Sequence, residues 1–399
     1  MTAPAWADVE QAARLLEGVA EQTPLAHSRW LSELTGTEVM LKCENLQRTG
    51  SFKLRGAYTR IARLSEVERS AGVVAASAGN HAQGVALAAQ RLGLPARIFM
   101  PTGAALPKIQ ATQGYGAETE LAGIDVEATI AAAREHAERT GAVWIHPFDH
   151  PDVIAGQGTV AAEIVRQLPE TATILAPVGG GGLVAGVALV REVRPDIRVV
   201  GVQTAAVSPY VPSLAAGEPV RISGAPTMAD GIAVAEPGGV PFAIVRDLVD
   251  EVVTVTEESL SRALIGLLER AKMLVEPAGA AGVAALLEHP GAFEGPVVPI
   301  LSGGNIDALL LLEVIRHGLK AGGRFLSFRV HLTDRPGELM RLLTDLAAMQ
   351  VNILNIVHDR ASETLGVGEV EVRLQVATRG PDHAEHVLEQ LGALGYRQA

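Results

Sequence analysis

A chain of 399 residues, 48% of them hydrophobic, is long enough for two or three domains with well-buried cores. A net charge of −12 without a basic run argues against nucleic acid as a partner, and no window approaches the ~20 uninterrupted apolar residues of a membrane-spanning helix. The single cysteine, Cys43, excludes an internal disulfide, and the acidic N-terminus lacks an export signal's cationic and apolar regions, so the expected setting is soluble and cytoplasmic.

From residue 7 to about 320, short apolar runs alternate with helix-length patterns. The spacing predicts strands at 38–41, 73–76, 96–100, 173–178, 198–203, 251–255 and 297–301, with helices at 85–92, 153–168, 259–270 and 308–319. This alternation implies an α/β protein with a mostly parallel sheet covered on both faces. The 42 glycines and 4% aromatics suit helices packed closely on such a sheet. Residues 321–324 read as a short linker. Beyond it, strand patterns at 325–332, 351–358 and 367–376 and helix patterns at 336–349 and 382–394 give a β-α-β-β-α order.

Four segments carry candidate chemistry. Ser51-Phe52-Lys53-Leu54-Arg55-Gly56-Ala57 follows a polar loop and opens a helical pattern, which puts Lys53 at a helix N-terminus. The dipole there favours a neutral amine over ammonium, and only the neutral amine attacks an aldehyde. A lone lysine is ordinarily a solvated surface charge, so this reading leans on the other three segments. Ser77-Ala78-Gly79-Asn80-His81-Ala82-Gln83-Gly84, Gly179-Gly180-Gly181-Gly182-Leu183 and Leu301-Ser302-Gly303-Gly304-Asn305 each follow a strand pattern and precede a helical one. Ligands bind at such strand ends in open α/β sheets. The four glycines suit a phosphate cradle of backbone N–H groups; a flexible turn or close helix–sheet packing is the plainer alternative. A dinucleotide site would want an acid about 20 residues on, and the next strand ends in Gln203.

In combination and order, these segments resemble the pyridoxal-phosphate (PLP) enzymes of fold type II, most closely the threonine ammonia-lyases. The resemblance implies a catalytic domain over 1–320 made of two open α/β sub-domains, PLP as cofactor, and an amino-acid substrate. Lys53 would form the imine and act as base. Gly179, Gly180, Gly181, Gly182 and Leu183 would hold the phosphate, and Phe52 would pack beside the ring. Asn80 would bond the phenolic oxygen and Ser302 the pyridine nitrogen. Ser77, Ala78, Gly79, Asn80 and His81 would bind the substrate carboxylate, with His81 read as structural rather than catalytic. Ser77, Asn80 and Ser302 could equally cap turns or helices, and Phe52 could be plain core. A serine hydroxyl brings no negative charge to stabilise a pyridinium, so prompt loss of a β-substituent suits the site better than a long-lived carbanion. Glu276, in Leu274-Val275-Glu276-Pro277, and Asp230 resemble family segments lining the site.

Serine racemase shares these motifs and is the alternative within the family. It uses a second serine where this chain has Ala78, and Gln203 and Pro209 fall where its metal-binding carboxylates would lie, so no metal is expected. A non-catalytic amino-acid sensor or a nucleotide binder is the alternative outside it. Residues 325–399, with the Asp334-Arg335-Pro336-Gly337 turn, resemble an ACT domain of ferredoxin-like α+β fold. That resemblance implies pairing into a homodimer or homotetramer and a branched-chain amino-acid effector, with Asn352 and Asn355 as candidate contacts or plain surface strand residues; a ferredoxin-like dimerisation unit without a ligand is the plainer alternative. The resemblance leaves open a biosynthetic role, feeding isoleucine production, or a catabolic one.

Overall fold

Val73–Ala76 is buried at every residue and pairs in parallel with neighbours on both sides, as an apolar run without alternation requires. It belongs to a sheet ordered Glu118–Leu121, Ala96–Met100, Val73–Ala76, Val143–Trp144. A second parallel sheet runs Val297–Pro299, Thr173–Pro177, Arg198–Thr204, Glu251–Val255. The computed structural model describes residues 2–360 and 365–398, which divide into two compact units, Met1–Asp307 and Ala308–Ala399. Both parallel sheets lie in the first.

Two helices of the first unit begin where the site will be built. Lys53–Ala62 buries Leu54, Ala57 and Ile61 beside the first sheet, and Asn80–Leu92 buries every residue from His81 to Ala89. A third, Pro151–Gln167, crosses between the Lys53 helix and the Gly182–Ala188 helix at backbone distance. A Cβ on Gly156 would lie 2.7 Å from the Gly56 Cα, and one on Gly158 would lie 2.7 Å from the Gly186 carbonyl oxygen. Glycine is needed at both crossings because the backbones themselves are the packing surface.

Several boundaries depart from expectation. The strand expected at 38–41 forms at Met40–Lys42, where it pairs antiparallel with an unexpected strand, Leu25–His27. Glu118–Leu121, Val143–Trp144 and Arg397–Gln398 are also strands that the apolar pattern does not announce. The helix expected at 259–270 starts at Glu257 behind a Thr256 cap. It is α-helical only to Gly266 and ends in a π-helical turn, Leu267–Ala271.

In the second unit a four-stranded antiparallel sheet, ordered Asn352–Asp359, Glu369–Ala377, Phe325–Thr333, Arg397–Gln398, packs against Glu338–Ala348 and Pro381–Ala393. Val330, Val372 and Leu374 from the sheet meet Leu342, Leu346, Val387 and Leu391 from the helices. The helix Ala308–Ala321 falls in this unit, so the division lies at 307/308 rather than at 320. The expected linker at 321–324 reduces to the turn after that helix.

Candidate active site

Lys53 is the first residue of its helix, and its half-buried Nζ donates to the Pro147 carbonyl oxygen at 3.0 Å. Burial pushes its amine down to about 8, against a smaller upward pull from the Glu276 carboxylate. The loop in front of it is tied to the end of the second sheet: Phe52 N–H donates to the Ser302 carbonyl at 3.1 Å, and Ser51 bridges Gly303. Lys53, Phe52, Asn80 and Ser302 line one cavity with Pro147, Phe148 and the glycines at 179–182.

The glycine run turns sharply between Thr173–Pro177 and Gly182–Ala188. Gly181 has φ 99°, a conformation open to glycine and strained for other residues. A Cβ on Gly180 would collide with the Phe148 ring, and one on Gly181 with the Tyr210 hydroxyl. A Cβ on Gly182 would lie 2.9 Å from the Phe148 Cβ. With no side chain along this run, its backbone lines the cavity, which fits a phosphate held by N–H groups. The donor set therefore fits PLP on this chain's own chemistry: an amine shifted toward neutrality, a glycine cradle, an amide and a hydroxyl.

Glu276 stands behind Asn80. Its Oε1 accepts from Asn80 Nδ2 at 2.7 Å. Burial pushes its carboxyl up to about 7, reinforced by the charge of Asp230. Asp230 itself pairs with Lys108 at 3.8 Å. Below the Lys53 helix lies a buried group of charges. Arg55 holds Glu44 through two nitrogens, both at 2.8 Å, and Glu163 at 2.7 Å; Lys42 holds Glu163 at 2.6 Å. Burial alone would raise the Glu44 carboxyl, but Arg55, Lys42 and Thr23 override it and hold it below the usual carboxylate range. Two cations against two anions leave the group neutral, which is how charges survive away from water.

The structure brings Lys53, Phe52, Asn80, Leu183, Ser302 and the four glycines to the cavity. Ser77, Ala78 and Gly79 form the turn just before Asn80 and are not among the residues lining it; Ser77 Oγ accepts from Gly79 N at 3.1 Å. His81 is buried, and its Nε2–H donates to the Ile145 carbonyl at 2.8 Å. Burial, and then the Lys53 charge, push its imidazole down to about 3, so it stays neutral. Among the described residues no cluster of His, Cys, Asp or Glu could hold a metal ion, and no helix is long and apolar enough to cross a membrane.

Sequence reasoning passes over Pro147, Phe148, Gln157 and the structural part played by Asn305. Pro147 and Phe148 follow the two-residue strand Val143–Trp144, so a strand end is their only signal. His146 fixes their turn, its Nδ1 accepting from Asp149 N at 2.8 Å.

A family model described as pyridoxal-phosphate dependent enzyme matches residues 16–303. An L-threonine ammonia-lyase of Thermotoga maritima is 46% identical over 390 residues, covering 98% of this chain and 97% of that protein. Among solved structures, a threonine deaminase from T.th. superposes with a TM-score of 0.73 at 42% identity, covering 76% of this chain and 99% of its own. Maize serine racemase gives 0.74 at 34%, covering 80% and 99%.

Proposed function

The chain belongs to the pyridoxal-phosphate dependent enzymes, and from that premise we propose that it is an ammonia-lyase converting L-threonine to 2-oxobutanoate and ammonia, with L-serine giving pyruvate. The observation that carries this reading is the Lys53 amine, shifted toward neutrality, in the same cavity as a glycine run without room for side chains. When bound, pyridoxal phosphate supplies an aldehyde that condenses with amines and a ring that takes up the electron pair left at Cα.

In this reading the backbone N–H groups of Gly179, Gly180, Gly181, Gly182 and Leu183 would hold the phosphate, and the Phe52 ring would pack beside the cofactor. Ser302 Oγ would meet the pyridine nitrogen, and Asn80 Nδ2 would donate to the phenolic oxygen. Ser77, Ala78, Gly79 and Asn80 form the turn that would offer donors to the substrate carboxylate, and His81, buried against the Ile145 carbonyl, holds that turn from behind. Lys53 Nζ removes the Cα proton and delivers a proton to the departing β-hydroxyl. Water lost at that step is regained on hydrolysis, so atoms balance.

Serine racemases are also structural neighbours. Ala78, whose methyl group cannot return a proton to Cα, favours elimination over racemisation. The second unit serves in this reading as an ACT domain. Its cavity, lined by Arg316, Phe325, Leu354, Asn355 and Gln375, takes a branched-chain amino acid, and the chain works as a cytoplasmic homo-oligomer.

The test is the absorbance spectrum of the purified protein with and without L-threonine, followed by borohydride reduction and peptide mapping. A visible band that changes with threonine and an adduct on Lys53 are expected. A colourless protein indifferent to added PLP, or an adduct on another lysine, overturns the reading.

A further inference from the structure

The side-chain amides of Asn80 and Asn305 meet beside the cavity, and their polarity is set by a group that cannot turn over. An asparagine amide is nearly symmetric in shape, so packing alone does not choose which end is the oxygen. The Thr49 carbonyl oxygen can only accept, so the Asn305 atom 2.7 Å from it is the Nδ2 donor. That same Nδ2 lies 2.7 Å from Asn80, which must therefore present Oδ1. Asn80 Nδ2 is then turned to the Glu276 carboxyl, 2.7 Å away. One backbone carbonyl fixes the direction of three successive hydrogen bonds.

The surrounding glycines make room for this arrangement. Gly50, at φ 70°, lies against the Asn305 carboxamide, and a Cβ there would collide with Asn305 Oδ1. Gly304 N–H donates to the Gly50 carbonyl at 2.8 Å, which holds the two loops together. A Cβ on Gly303 would collide with the Glu276 carboxylate and lie 3.1 Å from Asn80 Nδ2.

We propose that Asn305 is a positioning residue: by occupying Asn80 Oδ1 and committing one Asn80 N–H to Glu276, the network leaves the other N–H as the donor for a phenolic oxygen in the cavity. A reversed Asn80 would present an acceptor to an anionic oxygen and repel it. The inference rests on the reading of the cavity as the PLP site.

The test is a double-mutant cycle on the full chain: wild type, Asn305→Ala, Asn80→Ala and the pair. Each protein is titrated with PLP, its visible absorption is recorded, and the cofactor-free forms are melted as a control on folding. Asn305→Ala should weaken PLP binding about tenfold, as expected for losing one hydrogen bond to a charged oxygen. It should also move the absorption band in the same direction as Asn80→Ala, and added to Asn80→Ala it should change neither. Asn305→Asp keeps the shape, replaces the donor with an acceptor and reverses Asn80. It should reproduce the shift, and it takes over the cycle if the alanine variant does not fold. Wild-type affinity and spectrum in Asn305→Ala, or effects that add in full to those of Asn80→Ala, would overturn the proposal. A wild type that takes up no PLP overturns the site reading beneath it instead.

Discussion

The Lys53 amine and the Pro147 carbonyl oxygen are 3.0 Å apart, although 94 residues separate them in the chain. The carbonyl gives the amine a fixed resting place inside the cavity. It can share a proton of the ammonium form but carries no full charge to hold that proton, so burial prevails and the amine is pushed down to about 8.

The reactivity of Lys53 in the cofactor-free protein should therefore follow an unusual pH profile. Only the neutral amine attacks an aldehyde, so the rate of reaction with PLP should rise with pH through about 8 and level off above it. An ordinary lysine would keep rising toward ~10.4. Between these values the unfolded chain binds more protons at this position than the native one, so the burial penalty eases as pH rises. Rate measurements with peptide mapping at each pH check this, and a midpoint near that of free lysine would count against it.

Gly181→Ala should damage the cradle twice. The φ of 99° strains alanine by about 1–2 kcal/mol, and the new methyl group meets the Tyr210 hydroxyl. PLP binding should weaken at least about tenfold if that strain is unrelieved in the bound state. The double variant Gly181→Ala with Tyr210→Phe should recover part of the loss. Titration by absorbance reads both.

Removing Arg55 strands the Glu44 carboxylate away from water. Arg55→Met should cost about 3–5 kcal/mol of stability near pH 8, as for other broken buried pairs. With Arg55 present the folded Glu44 carboxyl is held down, so its contribution is present above the ordinary carboxylate range and lost as acid protonates it. Without Arg55, burial raises that carboxyl, and the sign reverses: the variant's deficit should shrink as pH falls from 8 to 5. Urea denaturation at the two pH values tests the reversal.

With L-serine as substrate, pyruvate should accumulate with little D-serine, measured by chiral chromatography. D-serine as the main product would support a racemase. Ala78→Ser should raise any trace of racemisation, if the turn before Asn80 accepts the added hydroxyl.

Isoleucine or valine should alter the threonine saturation curve of the full chain. An effector that discriminates between two enzyme states by ~1–3 kcal/mol changes affinity about 5–150-fold. Asn355→Ala should reduce the response without changing the curve measured in its absence. Calorimetry showing no binding of either amino acid would leave the second unit with no sensing role for them.

The sequence announces the elements whose burial is uniform. Val73–Ala76 and Thr173–Pro177, buried at every residue, form where their apolar runs predict them, the second ending one residue early. Glu118–Leu121 escapes notice because, as a sheet-edge strand, it carries two glutamates and is largely exposed. The glycine-rich turns are legible because a run of four glycines is costly in ordinary structure and asks for a reason. What closes the site is less so. Phe148 and Tyr210 reach the glycines from about 30 residues away on either side, and apart from the short strand before Phe148 nothing flanking them signals the encounter. Asn305 stands in plain view at the end of its motif, yet its part depends on the direction of a hydrogen bond to Thr49, which spacing cannot express.

The crossing of Pro151–Gln167 between its two neighbours acts as a ruler. The helix bearing Lys53 and the helix that follows the glycine run are held apart by the thickness of bare backbone at Gly156 and Gly158. Main-chain atoms have no rotamers, so that span does not shift as side chains elsewhere in the core rearrange. The distance from amine to cradle, on which any bound cofactor must be stretched, is thereby fixed by the least variable part of a polypeptide.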